Sequence, residues 1–594
     1  MTGTDTPRLR VPVGADAERW TTRADVRFVL LVVHNVTSAT RLLDVLPLFR
    51  DDHRVQLLAT CTGSSPFLAG VPELLASAEV PVLPWEQAKD TPVALAISAS
   101  YGGELHALRG RLAVLSHGVG YNKRLATPDN TGQHRTTPVF GLSPEWLLHD
   151  GRPLASATVL SHPEQLDRLA AACPEAAPTA VLAGDPAYDR VLDALPYRER
   201  FRRALGVGPH QRLIVVNSTW SPRSLFGDGG EGDLLPWLLP RLAAELPADE
   251  YRAVAVLHPN IWYGHGPGQV RGWLDRARRA GLGLIDPLHG WRQALIAADC
   301  VLGDHGSVTY YAASLGRPVL LGAFPDGDLD PASPVAALGR AAPRLRPHGG
   351  LRTQIDRAVE GHDPGRYAEL AAQTTSSPGR SAALLRRLFY RLIGIPEPAG
   401  RPALLDRLPL PPYEPAERTA PVRVLTRLIG ADPPKVAVTR HADAAHEPED
   451  PDADGAHTAV HEDTRDAGRL SVADVIVRYA AEDDPRVGPS AAWTAEVLAR
   501  HPHCALAVYV SGPDRCTVRT RRGDLVRLTA APGEDGRADL CDPAAYASAL
   551  LAWLGRKPLA EAATSTPRCN DSPTRTTRAP GSAALIIPGP HFPS

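Results

Sequence analysis

The sequence predicts an α/β chain with two doubly wound, Rossmann-like domains facing across a cleft, followed by a small α/β module behind a linker. Three observations carry this. Runs such as Phe28-Val29-Leu30-Leu31-Val32-Val33, Leu213-Ile214-Val215-Val216 and Ala253-Val254-Ala255-Val256-Leu257 are continuously apolar and rich in β-branched residues. Such runs are strands buried on both faces, the kind found in parallel sheets. Segments with apolar residues at helical spacing alternate with them, the rhythm of an α/β domain. The length, 594 residues, is that of several domains.

Taken in order, residues 1–25 are polar with no apolar core, which reads as a flexible leader without a signal peptide. The first domain, 26–175, opens with the strand at Arg27–Val33 and a turn at His34–Ser38. A helix follows, with Leu42, Leu43, Val45, Leu46 and Phe49 on one face. Further strands fall near 54–59, 80–83, 93–97 and 112–115. The second domain, 176–395, places strands at 180–183, 213–217, 253–257, 283–285, 298–303 and 319–321, with a helix between the last two that stops at Gly316. The segment Ser381–Ile393 has helical spacing with arginines on its other face, and would close the domain pair by crossing back to the first. From 396 to 468 the composition shifts to Pro, Ala, Asp, Glu and His, which suggests a disordered linker. His441, His446, His457 and His461 stand among acids there, either as metal ligands or as solvated side chains. Residues 469–556 regain strand and helix patterns but carry no catalytic set. The tail, 557–594, is rich in Pro, Thr and Ser and reads as disordered. The compositional break near Ile395 implies a core that folds without the residues beyond it.

A formal net charge of −2 argues against a broad nucleic-acid footprint. The seven cysteines form no CxxC pair, which argues against a zinc site or a disulfide framework and suits a reducing cytoplasm. No apolar run approaches the ~18 residues of a membrane span.

Two strand exits draw attention. Gly303-Asp304-His305-Gly306-Ser307-Val308 joins a strand to a helix start, where unpaired N–H groups and the helix dipole favour an anion. Gly306 would let a phosphate approach the backbone and Ser307 would add a hydroxyl. The other reading is an ordinary βαβ turn with a serine N-cap. In the first domain, Ser116-His117-Gly118 follows a strand, so His117 would face a substrate and could accept a proton near neutral pH. Lys123 could meet a phosphate or an acidic acceptor. Alternatively, both are solvated loop residues.

Several spaced motifs together resemble the GT-B glycosyltransferase superfamily, and most nearly the CDP-glycerol glycerophosphotransferases of teichoic-acid synthesis. Ser116-His117-Gly118 with Lys123 resembles that family's Trp-His-Gly segment and its following Lys. Gly184-Asp185-Pro186-Ala187-Tyr188-Asp189 resembles a Gly-x-Pro-x-x-Asp segment. Asn217-Ser218-Thr219-Trp220 resembles a Pro-Thr-Trp segment, and His258-Pro259 a His-Pro pair. Asp304-His305-Gly306-Ser307-Val308, ending in Gly316-Arg317-Pro318, resembles an Asp-x-Ser-Ser-Val…Gly-Lys-Pro signature. The similarity spans roughly residues 110–325.

The resemblance implies a transferase moving a glycosyl or glycerophosphoryl group from a nucleotide-diphosphate donor to a hydroxyl acceptor, in cell-envelope polymer or secondary-metabolite synthesis. His117 would be the base and His258, also catalytic, would hold the diphosphate. Asp304, His305, Gly306, Ser307, Val308, Thr219 and Gly184 would line the donor side, Asp304 either supporting the turn or touching the donor. Gly118, Lys123 and His34 would line the acceptor side. No cofactor, metal or nucleic acid is implied. The protein would be cytoplasmic, free or peripheral at the inner face of the membrane, where the acceptor could also lie. Four positions depart from the pattern: Ser116 for Trp, Gly120 for Pro, Gly306 for the first Ser, and Tyr311 for an Asp. They leave open a different donor, or a catalytically silent nucleotide-binding or scaffold protein.

Overall fold

The computed structural model describes residues 7–116, 119–124, 139–208, 210–230, 232–412, 418–431, 434–443, 452–482, 484–530, 542–555 and 584–586. The apolar runs form the expected strands. In the first domain these are β1 (Arg27–Val33), β2 (Val55–Cys61), β3 (Val82–Leu83), β4 (Leu95–Ser98) and β5 (Arg111–Val114). A surface hairpin follows, β6 (Leu148–His149) and β7 (Arg152–Pro153), then β8 (Ala157–Leu160) and β9 (Ala180–Leu182). The parallel sheet has the order β3-β2-β1-β4-β5-β8-β9. The second domain repeats the plan with β10 (Arg212–Ser218), β11 (Tyr251–Leu257), β12 (Gly283–Leu284), β13 (Cys300–Gly303) and β14 (Val319–Leu321), in the order β12-β11-β10-β13-β14, all parallel. Winding reverses between β1 and β4 and between β10 and β13. The carboxyl ends of strands at such switch points are where open α/β sheets hold ligands.

Helix Ser381–Ile393 does return to the first domain. Leu385, Leu388, Phe389 and Tyr390 are buried in its core, with Phe389 stacked 5.7 Å from Phe49. Beyond it the chain stays ordered as a strap over both domains. Arg54 donates to the Pro396 carbonyl, Arg190 to the Asp406 carbonyl at 2.7 Å, and Gln293 to the Pro409 carbonyl at 2.8 Å.

A buried cluster ties the domains together. Asp44, on the first-domain helix Val36–Val45, pairs with Arg190 and Arg292 of the second domain, while Arg41 lies over the Trp291 and Tyr311 rings.

The structure corrects three expectations. The part of the leader that is described, from residue 7, is packed: Gln87 exchanges hydrogen bonds with the Leu9 backbone, and Val13 is buried. Segment 396–468 is not a linker but supplies three strands, β15 (Val422–Ala431), β16 (Pro434–His441) and β17 (Gly455–His461). They join β18 (Val475–Tyr479), β19 (Leu506–Gly512), β20 (Arg515–Thr520), β21 (Leu525–Thr529) and β22 (Ala584–Ile586) in one mixed sheet of order β21-β20-β19-β18-β17-β15-β16-β22. The physical reason is period two: Val422, Val424, Val436 and Val438 face the core, while the charged residues that lower mean hydropathy sit between them. His441, His457 and His461 lie in these strands and His446 outside the described residues. Apart from β22, the tail from 557 also lies outside the described residues.

The third correction concerns independence. The module is docked on the second domain, with Arg440 bonded to Asp249 at 2.9 Å and His441 to the Ala244 carbonyl at 2.8 Å.

Candidate functional site

Asp304, at the exit of β13, is fully buried. One carboxylate oxygen accepts from the Thr219 and Leu225 backbone N–H groups at 2.9 and 3.0 Å and from the Ser218 hydroxyl at 3.2 Å. The other accepts from the Gly306 N–H at 3.0 Å. Burial pushes its pKa up, against the pull of three N–H donors and Lys123. This carboxylate knots the exits of β10 and β13 together. Gly306, not Ser307, takes the N-cap position of helix Ser307–Ser314. Its backbone is extended, so the need for glycine is steric: a Cβ there would stand 2.8 Å from the Thr219 Cβ. Thr219 is thereby placed at the turn and Ser307 is half-buried at the helix start, while Val308 packs on the second-domain core.

Lys123 crosses the cleft. The chain after β5 leaves the first domain and pairs with the second: the Arg124 N–H donates to the Asp328 carbonyl and the Asp330 N–H to the Asn122 carbonyl, both at 2.8 Å. Arg168 clamps this junction through the Tyr121 carbonyl and Asp330. The Lys123 ammonium lies 5.8 Å from the Trp220 ring centroid, and no ion pair or hydrogen bond to described residues holds it. Burial pulls its pKa down, opposed by Asp304 and Asp328. Expected on the acceptor side, Lys123 stands over the donor-side turn.

His305 is 4% exposed and its Nδ1 has no hydrogen-bond partner. Burial, then Lys123 and Arg223, push its pKa down to about 3, so the ring is neutral at physiological pH. Arg223 is held by Asp328 at 2.6 Å. Two cations and an unpaired imidazole thus meet at the β10–β13 switch point.

His258 caps helix Pro259–His265, its Nδ1 accepting from the Asn260 N–H, while Nε2 lies 3.4 Å from the Thr37 hydroxyl of the first domain. It bridges the cleft. Trp220, 41% exposed, packs edge-on to Phe67 of the first domain at 5.0 Å.

Other expected site residues are structural. Both His34 nitrogens are engaged by hydroxyls, Nδ1 by Ser64 and Thr62 and Nε2 by Ser98, so the ring clips the exits of β1, β2 and β4. Gly184, with φ +75°, turns the chain at the domain junction, where a Cβ would press on the Thr375 hydroxyl at 3.1 Å. The next residue, Asp185, caps helix Pro186–Ala194 and accepts from the Tyr311 hydroxyl. Tyr311, at the family's Asp position, thus has a partner of its own. His117 and Gly118 lie outside the described residues.

The two parallel-sheet domains are Rossmann-like and face one another across a cleft. No family model and no curated protein matches the chain. Similar solved structures include the wall teichoic acid polymerase TagF, at 13% identity and TM-score 0.44 over 62% of this chain and 90% of that one. A UDP-GlcNAc 2-epimerase from Neisseria meningitidis bound to UDP-GlcNAc matches at 12% and 0.38, over 62% of this chain and 99% of that one. A glycosyltransferase from Rickettsia africae matches at 11% and 0.36, with the same coverage.

Sequence reasoning missed Arg223 and Phe67. Arg223 had one signal, a lone basic residue in the loop that leaves β10. Phe67 had none, because its loop meets the cleft only through the domain packing.

Proposed function

We propose that the chain is a transferase using a nucleotide-diphosphate donor, moving a glycosyl or glycerophosphoryl group to a hydroxyl acceptor in cell-envelope or secondary-metabolite synthesis. The observation that carries this is the unpaired Lys123 ammonium held across the cleft over the β10–β13 switch point, beside the unpartnered Nδ1 of His305. A desolvated cation that no ion pair among the described residues holds is costly, and it favours an anion at that place even with Asp304 and Asp328 in its field. A diphosphate supplies the charge, and His305 Nδ1 and Arg223 supply further contacts. In the reaction the acceptor oxygen attacks the transferred group, the bond to the nucleotide breaks with its electron pair, and Lys123 offsets the charge on the leaving phosphate. By the motif, His117 takes the acceptor proton. Among the described residues no helix is long and apolar enough to cross a membrane.

Calorimetry with CDP, UDP and GDP tests the donor half. One of them should bind the parent, and Lys123→Ala should weaken it about 10- to 100-fold, the worth of a charge-assisted hydrogen bond. Binding by none, or equal binding by the variant, would sink the reading. A silent binding protein is favoured by one observation, the burial of Asp304 among backbone N–H donors rather than towards the cleft. Donor that binds but is never consumed with any polyol or sugar acceptor would select it.

A further inference from the structure

The two parallel-sheet domains meet along several seams, and three of them are hydrogen-bonded or charged. Asp44 pairs with Arg190 and Arg292. The Arg124 N–H donates to the Asp328 carbonyl and the Asp330 N–H to the Asn122 carbonyl, both at 2.8 Å. The Thr37 hydroxyl lies 3.4 Å from His258 Nε2. The loop between β2 and the helix Val71–Ser77 makes a contact of another kind. Phe67 stands edge-on to Trp220 with ring centroids 5.0 Å apart. Its ring also faces Gly264 of the second domain, where a Cβ would stand 3.2 Å from it. Among the described residues no hydrogen bond or ion pair joins 65–69 to the second domain.

The tip of this loop is a small unit between fixed ends. Before it, the Ser64 hydroxyl is held 3.1 Å from His34 Nδ1 and 2.8 Å from the Thr62 hydroxyl. After it, Gly70 turns the chain at φ +84° and lies against the Tyr263 ring of the second domain, where a Cβ would stand 2.5 Å away. Between these ends the Phe67 N–H donates to the Ser65 hydroxyl, and the Val71 N–H donates to the Leu68 carbonyl, both at 3.1 Å. Leu68 is 37% exposed. A segment with internal hydrogen bonds and one ring as its outer contact can lift away without stranding a polar group. Local opening is cheapest in segments of this kind.

The indole that Phe67 meets is the one that stands 5.8 Å from the Lys123 ammonium. The loop tip therefore ends beside the turn to which the donor diphosphate is assigned. We propose that residues 65–69 are a gate on the interdomain cleft, shut by Phe67 on Trp220 and opened to admit and release the donor. The gate rests on the donor reading above and adds how that site is reached. A gate whose contacts are the same in the free and the liganded protein sets the rates of ligand exchange and leaves the affinity alone.

Stopped-flow kinetics on the full-length chain test it, with ribose-labelled fluorescent CDP, UDP and GDP as probes. In Phe67→Ala the association and dissociation rates of whichever nucleotide binds should both rise about tenfold, with Kd kept within about threefold. Phe67→Leu, which keeps an apolar contact on Trp220, should stay near the parent. Gly264→Ala sets a methyl group against the closed Phe67 ring and should speed both rates as Phe67→Ala does. Circular dichroism checks that each variant is folded, and Gly264→Ala decides the matter if Phe67→Ala is not. Parent-like rates in Phe67→Ala and Gly264→Ala would overturn the gate. So would a faster dissociation alone with a matching rise in Kd, since Phe67 would then be a plain wall of the binding site. Binding of none of the three nucleotides to the parent would fail the donor reading itself, and the gate with it. Binding with unchanged rates fails the gate alone.

Discussion

At the residue scale the buried imidazole of His305 links the site to stability. Its pKa is pushed down to about 3, against ~6.5 for an unperturbed histidine. Below ~6.5 the unfolded chain takes a proton that the folded chain refuses, so stability falls as pH drops and continues to fall until about 3. Between pH 6.5 and 5 this amounts to about 2 kcal/mol. His457, pushed down to about 4 by burial, acts in the same direction. Urea denaturation of the parent and of His305→Phe at pH 7 and pH 5 should therefore show a smaller loss in the variant. An equal loss in both would mean that the ring is already protonated or solvated. The sequence identifies the Asp304-His305-Gly306 turn but not the roles within it. Spacing does not distinguish a carboxylate facing backbone N–H groups from one facing a ligand, so the sequence leaves Asp304 open between supporting the turn and touching a donor, and the fold shows it supporting the turn. The hydroxyls that engage His34 are hidden from the sequence for the same reason, since they come from loops far apart in the chain.

At the element scale, the helix Val36–Val45 and the second-domain helices that carry Arg190 and Arg292 meet through Asp44, whose side chain is only 3% exposed. Removing one partner of such a cluster strands the others in a dry interface. Asp44→Ala leaves two guanidiniums without their counter-ion and should cost about 3–5 kcal/mol. A chemical denaturation midpoint within about 0.5 kcal/mol of the parent would show instead that water enters the interface and takes over from the carboxylate. The strands of the first two domains were legible because parallel strands covered on both faces are apolar at every position. The strands at 422–461 were not, because only alternate residues are buried and the intervening arginines, acids and prolines dominate the composition. Asp44 itself reads as one polar residue on an amphipathic helix. Its second-domain partners lie at least 146 residues away in sequence, which no local pattern reveals.

At the scale of the whole molecule, the domains hold one another through segments that a compositional boundary near Ile395 would discard. The strap from 396 to 412 is bonded to Arg54 on the first domain and to Arg190 and Gln293 on the second, and Asp406 also pairs with Arg50. The module beyond it docks mainly through Arg440, His441 and the backbone at Thr419–Ala420, which donates to the Arg279 carbonyl at 3.0 Å. These two attachments differ in kind. Cutting after residue 412 removes the module as a unit and returns its docking surface to water, so Asp249 loses a partner but regains solvent, and the surface change costs little. Cutting after residue 400 also deletes Asp406 and the Pro409 carbonyl. Arg190 then keeps only Asp44, and the Gln293 amide, 3% exposed with its residue, is left without an acceptor at a cost of about 1–3 kcal/mol. The 1–412 fragment should therefore melt close to the first transition of the full chain, and the 1–400 fragment several degrees below it. Thermal melts followed by circular dichroism on the two fragments decide this. If both melt together the strap is ornamental, and if 1–412 is itself unfolded the module belongs to the core rather than leaning on it.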